Sequence, residues 1–226
     1  MTARNATGEL FAPEYPPAYP EGFSHHSRIL DLPAQAALVR AVADALPATP
    51  FFQPRMPRTG TPTSVVMLNF GPLGWVSSRR EGYRYQPLHP DTREPWRPIP
   101  RIMLDLWERL TDWPAPPECC LVNWYRPSRA ARMGPHVDRD EAAADAPILG
   151  VSLGDTATFR LGNLARGGRT IPVELRSGDA VVMAGPSRRR HHAVSRVSYG
   201  TSALLPEGHF PGGGRLNLTL RRVTPL

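Results

Sequence analysis

From Cys119 onward the chain reads as a series of short strands. They are Cys120–Tyr125, Ile148–Leu153, Thr158–Leu161, Thr170–Leu175, Asp179–Met183 and Arg215–Val223, and clusters of Gly, Pro, Asp or Ser separate several of them. Gly178-Asp179 ahead of Ala180-Val181-Val182 is a turn leading into a strand. Short strands at this spacing predict an antiparallel sandwich or jelly roll. Proline and glycine number 27 and 19 of 226 residues, a share that suits many turns yet stays below the level of a disordered chain. With no internal repeat and no linker-like tract, one domain over 1–226 is expected.

The N-terminal half is more mixed. Residues 1–27 read as an irregular arm ending in His25-His26. Asp31-Leu32-Pro33 opens a helical pattern, with a capping Asp, a first-turn Pro, and Leu38, Val39, Val42 and Leu46 at helical spacing. Thr63–Phe70 reads as a strand, Gly71-Pro72-Leu73-Gly74 as a turn, and Ile102–Leu110 as a second amphipathic helix. The fold class is therefore mainly β with flanking helices (α+β). Adjacent Cys119 and Cys120 suit neither a long-range disulfide nor metal-ligand spacing, and are expected to be reduced, part-buried strand residues. No signal-peptide pattern and no run of membrane-spanning length is present, so a cytoplasmic protein is expected. All 27 basic residues are arginine and the net charge is +7. That surplus suits an acidic partner such as nucleic acid, though codon bias toward arginine would produce it equally well.

The chemistry lies in three separated fragments: His136-Val137-Asp138, the pair His191-His192, and Arg215-Leu216-Asn217-Leu218-Thr219-Leu220-Arg221. Two imidazoles and one carboxylate form the ligand set of a non-haem Fe(II) site, which leaves positions open for an oxidant and a co-substrate. On a strand, His136 and Asp138 would share a face, as would Asn123 and Tyr125. Arg215, Asn217, Thr219 and Arg221 likewise share one face of the last strand. Two arginines bracketing Asn and Thr with no acid to balance them suit a pocket for an anion, because guanidinium matches carboxylate in a two-pronged geometry. Each fragment has a plain alternative as surface or loop sequence; the combination points to an oxygenase.

These fragments and their surroundings resemble the AlkB family of Fe(II)- and 2-oxoglutarate-dependent dioxygenases. The similarity runs from about Pro50 to Arg221 through Leu73-Gly74-Trp75, Leu121-Val122-Asn123-Trp124-Tyr125, His136-Val137-Asp138-Arg139-Asp140-Glu141, Ser187-Arg188 and the closing arginine motif. The resemblance implies that His136, Asp138 and His192 are the iron ligands, choosing His192 over His191. It further implies that Asn123, Tyr125 and Arg215 hold the distal carboxylate of 2-oxoglutarate, and that Asn217 and Arg221 hold the end nearer iron. Fe(II), 2-oxoglutarate and O2 are then the cofactor and co-substrates.

The implied reaction is oxidative demethylation of alkylated nucleobases of the 1-methyladenine and 3-methylcytosine type. The substrate is DNA, single- or double-stranded, with RNA as a further target, and the products are formaldehyde, succinate and CO2. A base inside a duplex must be flipped out to reach such a site. Trp75 and Tyr83 fall at the family's nucleotide-recognition aromatics, Asp140 suits a positively charged base, and Arg166 matches a position near the base. The implied architecture is a double-stranded β-helix, the jelly-roll barrel, over 116–226, with helices and a nucleotide-recognition lid over 28–115; a monomer suffices. Three features depart from the pattern: a longer 126–135 loop carrying Pro127-Ser128-Arg129, one extra residue between Trp75 and Gly82, and Gly150 where the family has a serine. The competing readings are a related oxygenase acting on a protein or small molecule, and a nucleic-acid-binding β-sandwich with a vestigial metal site.

Overall fold

A computed structural model describes residues 19–226. The first 18 residues of the expected arm lie outside that range. In chain order the elements are β1 (Phe23–His26), α1 (Leu32–Ala45), β2 (Val66–Phe70), β3 (Gly74–Ser78), β4 (Gly82–Gln86), α2 (Arg101–Thr111) and β5 (Cys119–Tyr125). There follow β6 (Met133–His136), β7 (Ile148–Gly154), β8 (Thr156–Leu161), β9 (Ile171–Leu175), β10 (Ala180–Met183), β11 (His192–Ser198) and β12 (Arg215–Arg221).

Helix α1 starts where its cap requires. The Asp31 carboxylate accepts from Ala34 N at 2.9 Å, and Pro33 sits in the first turn, where its missing N–H has no partner to lose. The strands form a six-stranded sheet in the order β1-β10-β7-β12-β5-β2 and a four-stranded sheet in the order β6-β11-β8-β9, with antiparallel ladders throughout. The fold is a jelly roll whose two sheets face each other without closing into a barrel.

Alternation along the strands decides what each layer contains. Leu216, Leu218 and Leu220 of β12 are fully buried against the layer that holds α1 and α2, with Leu38, Val42 and Trp107. Burying each such leucine contributes roughly 1.5–3 kcal/mol. The opposite face of the large sheet meets the small one through Leu121, Ile148 and Val181 on one side and Phe159, Val173 and Val194 on the other. Arg215, Asn217, Thr219 and Arg221 therefore point between the sheets. Cys119 and Cys120 are fully buried and unpaired, deeper than the part-burial expected.

Strands β3 and β4 form a separate hairpin, pairing Trp75 with Tyr85 and Ser77 with Tyr83. Fully buried Asn69 fastens it to the large sheet: its Nδ2 donates to Trp75 O, and its Oδ1 accepts from Trp75 N, both at 3.1 Å. At Gly74 a Cβ would lie 2.4 Å from the Trp96 indole, so only glycine permits that approach. Among the described residues, no helix is long and apolar enough to cross a membrane.

Two expectations change. The supposed irregular arm contains a strand at Phe23–His26, paired with β10. Strands β1 and β2 both join the large sheet, so residue 116 does not separate a lid from the sheet.

Candidate active site

Strand β6 ends at His136, and Asp138 follows in the loop beyond it, so strand alternation is not what aligns the two. His192 opens β11 and stands in register with His136. His136 Nε2 lies 3.7 Å from Asp138 Oδ1, and His192 Nε2 lies 3.8 Å from Asp138 Oδ2. All three ligand atoms fall within 4.8 Å of one another. His191 instead turns its Nδ1 to Asn163 O, away from this cluster.

The imidazole tautomers follow from their partners. His136 Nδ1 faces Gly134 O at 2.9 Å and His192 Nδ1 faces Arg190 O at 3.2 Å. A carbonyl only accepts, so each Nδ1 carries the proton and each Nε2 lone pair turns to the shared point. Burial, and next the neighbouring His136, push the His192 pKa down to about 4, which keeps its ring neutral at ordinary pH. Burial would raise the Asp138 carboxyl, but Arg221 and then His192, His136 and Arg188 hold it below the usual carboxylate range.

Around Asp138 runs a buried network that connects four parts of the chain. Arg221 Nη2 donates to Asp138 Oδ2 at 2.8 Å, and Arg221 Nη1 to the Tyr85 hydroxyl at 3.3 Å. Arg188 donates to Asp138 O, Ala146 O and Glu141 Oε2. Tyr85 donates a short hydrogen bond to Glu141 Oε1. Two guanidinium groups and two carboxylates balance within this cluster. Glu141 and Arg188 stand in the recognised sequence motifs, but nothing in sequence marks them as a buried ion pair.

Between the sheets, Asn123, Tyr125, Asn217 and Arg221 line one cavity with the three ligand residues. Their register explains the convergence: Asn217 pairs with Asn123 on β5 and with Ser152 on β7, while Thr219 pairs with Gly150. Arg215 stands at the end of this row but not on the cavity wall. It is wholly buried and donates to Asp155 O, Leu175 O and Ser152 Oγ. No acid is within ion-pairing distance of it among the described residues, and burial lowers its pKa to about 10, still cationic at neutral pH. Ser152 was not singled out from sequence. Its signal was strand alternation, which puts it beside Gly150 on the inner face.

Trp75 and Tyr83 stack on each other, with centroids 5.5 Å apart and planes 24° apart. Trp75 Nε1 donates to Asp140 Oδ2 at 2.9 Å, so the hairpin and the loop carrying Asp138 meet there. Arg166 is exposed in the loop between β8 and β9, and has no hydrogen bond or ion pair to a site residue among the described residues.

The family model described as the 2OG-Fe(II) oxygenase superfamily matches residues 22–221. The "Alpha-ketoglutarate-dependent dioxygenase AlkB homolog" of Caulobacter vibrioides is 48% identical over 202 residues, 89% of this chain and 88% of that protein. The "Alpha-ketoglutarate-dependent dioxygenase AlkB" of Escherichia coli is 36% identical, covering 84% of this chain and 85% of its own. The solved structure of OsALKBH1 superposes with a TM-score of 0.72 at 26% identity, covering 90% of this chain and 99% of that one.

The chain belongs to the AlkB family. It is a dioxygenase that uses Fe(II), 2-oxoglutarate and O2. The residues fit that AlkB requirement on their own terms. Two neutral imidazoles and an ionised carboxylate are a suitable donor set for Fe(II), and their carbonyl partners hold the rings in place. Arg215 Nε, Arg221 Nε and Asn123 Oδ1 are buried without hydrogen-bond partners. Asn123 and Arg221 line the cavity and an unpaired buried group is costly, so a polar ligand suits that space, with the Arg221 cation favouring an anionic end.

Proposed function

We propose that this AlkB-family enzyme oxidatively demethylates bases of the 1-methyladenine and 3-methylcytosine type in DNA, single- or double-stranded, and also in RNA. Held at this site, Fe(II) would supply the O2 chemistry, with 2-oxoglutarate oxidised alongside, by which the N-methyl group is hydroxylated. The hydroxymethyl product collapses to the free base and formaldehyde, with succinate and CO2 as the co-products.

The chain's own residues divide the work. His136, His192 and Asp138 would hold the metal. Asn217 and Arg221 would take the near end of 2-oxoglutarate, and Asn123 and Tyr125 its far carboxylate. The buried charge of Arg215, behind that wall, would favour the anion there. Trp75 and Tyr83 offer a flipped base an aromatic face, and Asp140 supplies negative charge beside it.

The observation that carries this reading is the Trp75–Asp140 hydrogen bond, which sets an aromatic surface and a carboxylate two residues from the Asp138 ligand. A cationic methylated base gains from both, and a neutral small molecule has little use for them. Arg166 enters only as an exposed loop cation able to approach the strand.

The test is to incubate the protein with Fe(II), 2-oxoglutarate and an oligonucleotide carrying 1-methyladenine, and to follow methyl loss by mass together with succinate. Succinate release on another substrate, with the methylated oligonucleotide untouched, would refute the assignment.

A further inference from the structure

Tyr85 belongs to the hairpin, yet its hydroxyl reaches the network around Asp138. It donates to Glu141 Oε1 and accepts from Arg221 Nη1 at 3.3 Å. Glu141 has a side chain only 1% exposed and is held from its other oxygen by Arg188 Nη2 at 3.0 Å. Arg221 Nε lies 3.6 Å from Glu141 Oε1, and Arg221 Nη2 binds the Asp138 carboxylate. A guanidinium has five N–H donors in one plane. With Nη2 on Asp138, Nη1 on Tyr85 and Nε facing Glu141, all three nitrogens of that plane have neighbours that fix it, and the remaining η N–H groups are aimed.

We propose that Tyr85 and Glu141 are positioning residues that set the plane of the Arg221 guanidinium for the co-substrate, tying the hairpin to the 2-oxoglutarate end of the cavity. The inference rests on reading Arg221 as a 2-oxoglutarate ligand. Hydrogen bonds together with ion pairs inside the network account for the burial of each group. Glu141 is neither exposed to solvent nor one of the clustered metal-ligand candidates. Its contacts are Arg188, Arg221 and Tyr85, so its negative charge acts through the arginines. Because Tyr85 is carried by the hairpin, displacement of β4 would loosen Arg221 as well. Occupation of the aromatic face and retention of the co-substrate are thereby linked.

The test is 2-oxoglutarate binding to the full chain loaded with redox-inert Mn(II), measured by titration calorimetry, beside thermal unfolding of the ligand-free protein. Tyr85→Phe deletes one hydroxyl and should weaken 2-oxoglutarate binding about tenfold, the scale of one lost hydrogen bond, while the ligand-free protein stays folded and melts only a few degrees lower. Glu141→Gln should weaken it similarly, and the double variant should add little, because both act through one guanidinium. Under anaerobic conditions the visible charge-transfer band of the Fe(II)–2-oxoglutarate complex should shift in each variant. Arg221→Met separates the two layers of the argument. If it binds 2-oxoglutarate normally, the ligand reading of Arg221 fails. If it loses binding while Tyr85→Phe and Glu141→Gln bind as the parent does, the positioning role is overturned. Loss of oligonucleotide affinity alone in Tyr85→Phe would also overturn it.

Discussion

Replacing either His136 or Asp138 with alanine should remove a metal ligand, but the two variants should differ sharply before any metal is added. The Asp138 side chain is 8% exposed and the His136 side chain 37% exposed. Asp138 is also the 2.8 Å partner of Arg221, whose side chain is only 7% exposed. Taking away one member of a buried ion pair leaves an uncompensated charge and costs roughly 3–5 kcal/mol. Arg221 keeps Tyr85 and Glu141 nearby, so the lower end applies, about 3 kcal/mol. At about 2–4 °C per kcal/mol for a chain of this size, Asp138→Ala should unfold roughly 6–12 °C below the parent in excess chelator. His136→Ala loses a contact with a backbone carbonyl and packing against the His192 ring at a part-buried position, and should stay within about 4 °C. Thermal unfolding by circular dichroism in chelator is the assay. Equal melting of Asp138→Ala and the parent, or equal losses in both variants, would show that Asp138 is not the buried counter-ion of Arg221.

Asp179 bears on acid stability. Burial would raise its carboxyl, but His25 and the backbone N–H groups of Arg28 and Arg176 hold it below its ordinary value. A depressed folded pKa gives stability that is present above about pH 4 and fades as pH falls through the lower folded value. Asp179→Asn should therefore be less stable at neutral pH and lose less of its melting temperature between about pH 5 and 3; a slope equal to the parent's would contradict this. Asp140→Ala should lower kcat/KM for cationic 1-methyladenine by about tenfold and for a neutral methylated base by clearly less, in parallel turnover assays. An equal fall for both would remove charge from the recognition argument. At Gly150 an added Cβ would meet Val181 Cγ2 at 3.4 Å and Asn217 Oδ1 at 3.9 Å, ordinary contacts. Gly150→Ser should fold with its melting temperature within about 2 °C of the parent, and a gross loss in a thermal melt would show the inner face to be tighter than described.

What sequence reveals here depends on whether local pattern or distant pairing makes the element. Helix α1 was legible from Asp31 and Pro33, because a cap is chemistry within four residues. Strand β12 was legible from its alternation, which also marked out the donors facing the cavity. Strand β11 was not. Its register shifts between Val194 and Arg196, so the two-residue period is lost midway, and the segment begins in a run of arginines and histidines. Strand β6 contains Gly134 and Pro135, residues that usually argue against a strand and are tolerated here at a sheet edge. The cluster of His136, Asp138 and His192 could be anticipated from residue types and family pattern. The Arg188–Glu141 pair and the burial of Arg215 could not, because burial is decided by what the rest of the chain places around a residue.

The alternation of β12 also makes folding and catalytic competence inseparable. A slip of one residue against β5 or β7 would turn Arg215, Asn217, Thr219 and Arg221 into the leucine layer beneath the helices and expose three leucines to the cavity. Two arginines in that apolar layer would have no partners, so the misregistered sheet would be rejected before it could persist. The strand is in effect self-proofreading: any copy of the chain that holds its core together has already set out the inward-facing polar row in order.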